Sequence, residues 1–325
     1  MQLLKLSQNL RRLNLQGTKH MATKDTCVVC GSANTIVLKV HSRLSYNCCQ
    51  SCWHCELINP DGNMVTSFES AQEKYFGDTS LLVHTKPNPF DEEILSVRKN
   101  LVGPVLSVSS DVLEVGPGSG AFSIWLSDHG HRVICVEQSK VLAKKLAERI
   151  PTSIVSDEFE NSDIDKESID VFCSFHVIEH VRDPLVHLQK ALGVVKTGGL
   201  AFIATPNAGS WEQRFFPLLS PNFDSAHLRV FSQASLYRLC EEAGWSVEHV
   251  ITPEHSIYWM RVVTKLLRRA KGEDEEETAG KYAGQNSVVI NTIGRVVRII
   301  TYPLRSVQKN LGGGNELFLI LKKNE

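Results

Sequence analysis

The sequence predicts a doubly wound α/β domain, and three observations support this fold class. Apolar segments of strand length alternate with amphipathic segments along most of the chain, a pattern typical of parallel sheets covered by helices. One apolar segment, Asp111–Val115, runs directly into a glycine-rich turn. A hydrophobic content of 42 % in 325 residues is enough for one full core and a small additional module.

The glycine-rich turn holds Gly116, Gly118 and Gly120, and the amphipathic segment Ala121–Gly130 follows it. Glycines leave the backbone open to close approach by a ligand, and the terminal glycine suits the end of a helix. A strand, a glycine turn and a helix N-terminus in this order predict a nucleotide-type binding edge.

A second strand, His131–Glu137, ends in an acid that suits the two hydroxyls of a ribose. Gly116, Gly118 and Ala121 also satisfy the looser fingerprint of dinucleotide-binding proteins. The turn and the acid therefore indicate a nucleoside, and a nicotinamide-dependent oxidoreductase remains an alternative.

Later segments favour one class. Ser168–His180 predicts a strand and a turn, Pro184 stands near the start of the next helix, and Lys196–Gly199 closes that helix before the strand Leu200–Asn207. The motifs together resemble the class I S-adenosylmethionine-dependent methyltransferases, and most closely the branch containing the ubiquinone-biosynthesis O-methyltransferases. The resemblance covers roughly residues 75–252, returns near 315–323, and rests on Glu114–Gly120, Val177–Pro184, Lys196–Gly199, Thr205–Asn207, and His227–Ser232 with Leu239–Trp245.

The resemblance implies S-adenosylmethionine as the cofactor and a Rossmann-like sheet with an antiparallel last strand. It places the methionine end at Gly116, Gly118 and Gly120 with Glu114 orienting the ammonium, the ribose at Glu137, the adenine amino group beside Asp157, and the pocket floor at Ser174–Phe175. Two positions have simpler interpretations, because Glu114 also suits a tie to the turn amides and Asp157 a solvated loop.

Histidine is the side chain best suited to removing a proton near neutral pH. His180 and His227 match histidines typical of the related methyltransferases and are the candidate catalytic bases, whereas His176 stands at a more variable place. Each also suits a role in holding the substrate loop. By the same resemblance, Glu179 beside His180 is a candidate ligand for a divalent ion.

Six of the nine cysteines lie between Cys27 and Cys55. Cys27 and Cys30 form one pair of a predicted zinc ribbon, and Cys49 with Cys52 is the preferred second pair, because the spacing is usual for a four-thiolate site. A shift to Cys52 and Cys55 stays open. Such a site is structural, and no disulfide framework is expected in a cytosolic chain.

The predicted organisation is a flexible or targeting arm at 1–24, the zinc ribbon at 25–62 and a methyltransferase domain at 75–325. A helical insertion at 255–312 delays the last strand, Glu316–Lys322. Its second helix places arginines opposite a row of aliphatic residues, which predicts peripheral membrane contact through 288–305 or packing within the protein.

A net charge of −1 and a pI near 6.9 argue against a nucleic-acid partner. The expected function is methyl transfer to a small-molecule acceptor, with a hydroxyl favoured and an apolar, lipid-linked or glycan acceptor suitable. The alternatives are a sugar C-methyltransferase and a non-catalytic module that binds zinc and S-adenosylmethionine. The expected location is cytoplasmic, with peripheral contact to a membrane.

Overall fold

The computed structural model describes residues 26–41, 44–58, 88–150, 153–156, 158–223, 225–271 and 288–325. The predicted arm at 1–24, Asp157 and the acidic run Glu273–Glu277 lie outside the described residues.

The strands alternate with helices from residue 89 onward, as the sequence predicts. In chain order they are β1 Thr35–His41, β2 Leu44–Cys49, β3 Cys55–Ile58, β4 Asp111–Val115, β5 Arg132–Glu137, β6 Ser153–Val155, β7 Ile169–Phe175, β8 Val195–Pro206, β9 Arg229–Val230, β10 Ser246–Ile251 and β11 Glu316–Lys322.

The α-helices cover the main sheet and form the insertion. They are α1 Pro89–Val102, α2 Ala121–Asp128, α3 Lys140–Ala147, α4 Pro184–Val194, α5 Trp211–Phe215, α6 Gln233–Glu242, α7 Ser256–Ala270 and α8 Val288–Asn310, with short 3-10 turns at Gly103–Val105, Phe159–Asn161 and Pro217–Leu219.

Seven strands form the main sheet in the order β10-β11-β8-β7-β4-β5-β6. Only β11 runs antiparallel to its neighbours, β8 and β10, among these strands. The predicted fold class is therefore confirmed. The strand order reverses at β4, and ligands of open α/β sheets bind outside the carboxyl ends of the strands at such a point.

Apolar clusters cover both faces of this sheet, so its central strands are buried on both sides. Leu113 belongs to the cluster on one face, whereas Val112, the residue before it, belongs to the cluster on the other. The start of α4 follows the predicted rule, because the Asp183 side chain accepts hydrogen bonds from two backbone amides and Pro184 occupies the first turn.

A second sheet joins the N-terminal module to the main domain. Its order is β1-β2-β3-β9, so three strands of the cysteine-rich module pair with a strand that lies two residues beyond His227. Cys55 pairs with Val230 in this register. Tyr46, Leu57 and Phe223 contribute to one apolar cluster between the two parts of the chain.

Two predicted boundaries differ from the structure. Lys196–Gly199 does not close the helix but belongs to β8, which begins at Val195, directly after α4. The second helix of the insertion was predicted to end near Leu304. In the structure it is α8, which continues to Asn310 and contains Pro303. The structure has no described helix that combines the length and apolar character required to span a bilayer.

Candidate active site

The glycine turn at the end of β4 requires its glycines for different reasons. All three have positive φ angles, of 64° at Gly116, 55° at Gly118 and 73° at Gly120. A Cβ at Gly116 would stand 2.6 Å from Val177 Cγ2, whereas a Cβ at Gly118 would meet no atom within 4 Å. The turn is therefore packed against the segment carrying the histidines and open at Gly118, where a ligand can approach the backbone.

Glu137 ends β5 beside this turn. Its Oε2 accepts a hydrogen bond from the Gly118 amide at 3.2 Å, and its Oε1 accepts one from the Ser139 amide at 2.9 Å. Burial raises the pKa of the Glu137 carboxyl, while these amides lower it. The structure thus places Glu137, the predicted partner of the ribose hydroxyls, beside the glycine turn that is predicted to bind the cofactor.

Glu114 lies beneath the turn with its side chain fully buried. It accepts a short hydrogen bond from the Ser123 hydroxyl in the first turn of α2. Burial raises the pKa of Glu114, which the Arg98 guanidinium and the Ser123 donors oppose. This carboxyl therefore ties β4 to α2.

Phe175 ends β7 and is buried against the Phe122 and Phe318 rings. The Arg98 guanidinium lies over the Phe175 ring, 4.5 Å from its centroid. Arg98 comes from α1 and was not singled out in the sequence, because nothing in its local pattern distinguishes it from a surface arginine of an amphipathic helix.

His176 follows Phe175 and has a left-handed backbone with φ 58°. Its Nδ1 lies 3.3 Å from Glu179 Oε1 and its Nε2 lies 3.3 Å from Glu316 Oε2. Burial lowers the pKa of His176, but the two carboxylates outweigh this effect and raise the pKa to about 9. His176 is therefore a cation at neutral pH and is not suited to accept a proton there.

The two acids beside His176 are buried. Burial would raise the pKa of Glu179, but the contact with His176 and the nearby His180 and His227 lower it to about 2. Glu316 also accepts a hydrogen bond from His255, whose Nε2 is 2.9 Å away. Neither Glu316 nor His255 was predicted, since one begins the last strand and the other lies in the insertion.

His180 and His227 lie together, with ring centroids 5.0 Å apart. The Nδ1 of His180 is 2.6 Å from the Ala226 carbonyl, and the Nδ1 of His227 is 2.8 Å from the Asn222 carbonyl. Because a carbonyl only accepts, each Nδ1 carries the proton and each Nε2 is unprotonated in the neutral ring.

Glu179 faces this histidine pair. One potential ligand atom each from Glu179, His180 and His227 falls within 4.8 Å of the others. Glu179 Oε2 accepts a hydrogen bond from Thr205, and its Oε1 lies 3.3 Å from His176 Nδ1 and 3.9 Å from His180 Nε2. The group has the donor chemistry to hold either a proton or a divalent cation between acid and imidazoles.

The N-terminal module supports the segment that carries His227. Tyr46 donates a hydrogen bond to the His227 carbonyl at 2.7 Å, and the Leu57 amide donates one to the Leu228 carbonyl at 2.9 Å. Sequence analysis missed Tyr46, because the contact joins residues 181 positions apart.

Four cysteines of this module form a second cluster. Cys27 Sγ lies 3.5 Å from Cys52 Sγ, and Cys30 Sγ lies 3.6 Å from Cys49 Sγ. A tetrahedral zinc ion with bonds of about 2.3 Å places its sulfur ligands about 3.8 Å apart. The preferred set of predicted ligands is thus brought together in an arrangement that fits zinc.

The surroundings act differently on the thiols of this cluster. Burial raises the pKa of Cys49, but the backbone donors of Cys52 and Ser51 bring it down to about 7, whereas burial raises the pKa of Cys27 and Cys52. Gly31, with φ 69°, allows the bend after Cys30.

The expectation about disulfides is wrong at one position. The structure joins Cys48 and Cys55 by a disulfide, whereas the expectation was that Cys48 is free and that Cys55 is free or, in the alternative pair, a zinc ligand. The two residues stand directly opposite each other on β2 and β3, with their Cα atoms 4.1 Å apart.

Comparison with known proteins identifies the fold and its family. A family model described as a methyltransferase domain matches residues 88–250. The chain belongs to this methyltransferase domain family. The predicted enzyme class is confirmed at this level.

Curated relatives of this methyltransferase domain are probable S-adenosylmethionine-dependent methyltransferases. One from Mycolicibacterium smegmatis is 29 % identical over 146 residues, which are 45 % of this chain and 55 % of the relative. One from Mycobacterium tuberculosis is 26 % identical over 136 residues, 42 % of this chain and 48 % of the relative. The chain therefore spans about half the length of the curated relatives it matches.

Among solved structures, the [4+2]-cyclase SpnF aligns with a TM-score of 0.52 at 13 % identity, covering 80 % of this chain and 97 % of that one. At this identity the likeness shows the fold alone.

Proposed function

We propose that this protein transfers a methyl group from S-adenosylmethionine to a hydroxyl of a small-molecule acceptor. The observation that carries the proposal is the contact between the glycine turn and the histidine segment. Gly116 packs against Val177, three residues before His180, so the predicted cofactor site and the candidate bases share one edge of the sheet.

The residues at this edge fit the cofactor. The turn is open at Gly118, and Glu137 presents a buried carboxyl beside it for the ribose hydroxyls. Gly116, Gly120 and Glu114 form and support the turn that would meet the methionine end. When bound, S-adenosylmethionine supplies a methyl group already activated by its sulfonium, so the protein must mainly orient the reactants and remove the acceptor proton.

His227 and His180 are the proposed acceptors of that proton. Each ring is fixed by its Nδ1–H to a backbone carbonyl, which leaves Nε2 as the basic nitrogen. Glu179 lies beside them and would stabilise the imidazolium that forms. His176, already held as a cation between Glu179 and Glu316, positions that carboxylate rather than accepting the proton.

The four cysteines are proposed to bind a structural zinc ion. Four thiolates leave no position for water or substrate, so zinc would contribute folding free energy rather than chemistry. Its effect would reach the site through β3, which pairs with β9 just after His227. Placement within the ubiquinone-biosynthesis branch remains a prediction from the motifs.

Label transfer from tritiated S-adenosylmethionine to a protein-free extract of cellular small molecules tests the proposal. His227→Ala and His180→Ala should reduce transfer by about 10²- to 10⁴-fold for the residue that acts as the base, because that is the usual contribution of a general base. Their affinity for S-adenosylhomocysteine, measured by calorimetry, should stay unchanged.

The exposed His249 on β10 provides a matched control, and His249→Ala should retain both transfer and affinity. Unimpaired transfer in both site variants would contradict the catalytic role. Loss of affinity together with transfer would assign the pair a structural role instead. Absence of transfer by the wild-type protein, with S-adenosylhomocysteine still bound, would favour the non-catalytic binding module.

A further inference from the structure

Helix α8 packs on the protein with its polar side. The Arg305 guanidinium pairs with Glu93 on α1 and donates a hydrogen bond to the Glu254 carbonyl at 3.1 Å. Gln308 donates to the Glu254 carboxyl at 2.8 Å. The inner face also contains Gly294, where a Cβ would approach Phe90 at 3.3 Å.

The opposite side of α8 is apolar and exposed. Ile299 and Ile300 have exposed fractions of 74 % and 72 %, and Leu311 just beyond the helix has 68 %. Helix α8 carries further large exposed side chains, namely Ile293, Val296, Tyr302, Leu304 and Val307. A surface helix normally turns its apolar stripe toward the core, so α8 is inverted.

Helix α7 buries Ile257, Tyr258 and Val262 against the protein but also leaves large apolar side chains exposed. Its Lys265 is buried and donates a hydrogen bond to the Ser220 carbonyl at 3.0 Å, whereas Leu266 and Leu267 are more than half exposed. On α8, Arg305 faces the protein, whereas Arg295 and Arg298 on the same helix are exposed. The salt bridge between Arg305 and Glu93 on α1 holds the Arg305 side chain against the protein.

The charges around the exposed apolar side have one sign. Arg295, Arg298 and Lys309 are exposed on α8, and neither α7 nor α8 contains an aspartate or glutamate. An apolar strip bordered by exposed cations complements a surface that offers apolar chains and phosphate groups together.

The segment between β8 and His227 contacts helix α7. Phe215, Phe216 and Leu218 are exposed large apolar residues in the segment that Lys265 contacts at Ser220. The same segment leads to Asn222, whose carbonyl fixes His227. The segment that fixes His227 therefore packs against the buried side of α7.

We propose that the exposed apolar sides of α7 and α8 dock onto the surface of an anionic lipid bilayer. The aliphatic rows enter the boundary between headgroups and acyl chains, and Arg295, Arg298 and Lys309 contact lipid phosphates. This docking does not depend on the proposed methyl transfer.

Vesicle flotation of the full-length protein without cofactor tests this proposal. The protein should float with vesicles of equal parts phosphatidylcholine and phosphatidylglycerol, should bind pure phosphatidylcholine more weakly, and should lose binding to the mixed vesicles as salt is raised. The double variant Ile299→Glu with Ile300→Glu should lower the partition coefficient by about tenfold or more, because two aliphatic side chains that would enter the acyl-chain boundary become charged.

Val108→Glu is the matched control, since Val108 is 97 % exposed and lies before β4, away from the insertion. It should bind the mixed vesicles like the wild type, and all variants should show the wild-type melting temperature.

Three outcomes would overturn the proposal. One is failure of the wild-type protein to float with the anionic vesicles. Another is flotation that Ile299→Glu with Ile300→Glu leaves unchanged. The third is a dimer in sedimentation velocity that this double variant dissociates while lipid binding is absent, which would assign the surface to a second copy of the chain.

Discussion

The glycine turn and the histidine pair lie at one edge of the same sheet, but different parts of the chain hold them there. The turn is fixed by neighbours in sequence, since the hydrogen bond from Gly118 to Glu137 spans 19 positions. The His227 segment is held by Tyr46, 181 positions away, and by the strand pairing of Cys55 with Val230. The candidate cofactor side is therefore a local construction, whereas the candidate substrate side depends on the strands of the N-terminal module that pair with β9.

The electrostatics differ in the same way. Burial raises the pKa of Glu114 and Glu137 on the cofactor side, with no full ion pair to offset it. On the substrate side, histidines lower the pKa of Glu179 and Glu316 although both are buried. The buried acids on the cofactor side can accept hydrogen bonds from the backbone or from a ligand. The buried acids on the substrate side are already paired with histidines.

Loss of zinc should give the largest difference between the effect on label transfer and the effect on cofactor affinity. Cys49→Ser should remove the bound metal and unfold β1–β3, because zinc sites of this kind supply on the order of 10 kcal/mol of folding free energy. Label transfer should then fall sharply, while affinity for S-adenosylhomocysteine in calorimetry stays within about twofold of wild type, since no zinc-bound contact reaches the glycine turn.

Cys48→Ser with Cys55→Ser is the control for the zinc prediction, because both residues lie outside the four-sulfur group and are bonded to each other. It should retain one zinc per chain by elemental analysis. Zinc loss in this variant would favour the alternative pair Cys52 and Cys55, and a parallel loss of cofactor affinity in Cys49→Ser would break the distinction between the two sides.

A substitution at Gly116 should affect the cofactor side first. Gly116→Ala places a Cβ at positive φ and within 2.6 Å of Val177, so the turn must move. We expect affinity for S-adenosylhomocysteine to fall by about 100-fold, since left-handed strain of about 1–2 kcal/mol is joined by the contact with Val177.

Gly130→Ala separates these two causes, because Gly130 has φ 85° but no atom within 4 Å of its Cβ position. It should lower the melting temperature through strain alone and leave affinity unchanged. Equal affinity in both variants and wild type would remove the turn from the cofactor site.

The paired charges on the substrate side should give stability a specific pH dependence. The pKa of His176 is raised to about 9 in the folded protein, from an ordinary value of about 6.5. Its ion pairs therefore stabilise the fold fully below about pH 6.5, and that contribution is lost as the pH rises through 9.

His176→Asn tests this dependence, because asparagine tolerates the left-handed backbone at this position. The loss of melting temperature between pH 6 and pH 10 should be smaller in the variant than in the wild type, and His249→Asn should behave like the wild type. Identical pH profiles for His176→Asn and wild type would contradict the ion-pair network.

The smallest effect should come from Tyr46→Phe, which removes one hydroxyl and keeps the ring. The lost hydrogen bond to the His227 carbonyl is worth about 1 kcal/mol, so label transfer should fall a few-fold with cofactor affinity unchanged. Tyr237→Phe on α6 removes an exposed hydroxyl and should have no such effect. A Tyr46→Phe variant with wild-type transfer would limit the module to a role in stability.

The same contrast explains what the sequence predicts well. The strand β11 has its predicted bounds, and Gly116, Gly118 and Glu137 meet as expected, because their signals lie in short segments with regular periods. The pairing of β3 with β9 has no local signal. The extension of α8 past Leu304 was also missed, since Arg305 and Gln308 hold the helix beyond Pro303 through tertiary contacts.

The most direct test of the central claim is a crystal structure with S-adenosylhomocysteine bound. We expect the ribose hydroxyls within hydrogen-bond distance of the Glu137 carboxyl, the amino-acid end at Gly116–Gly120, and the sulfur facing the space between His180 and His227. Electron density for the ligand elsewhere, or a nicotinamide dinucleotide binding with its pyrophosphate at Gly118, would contradict the assignment.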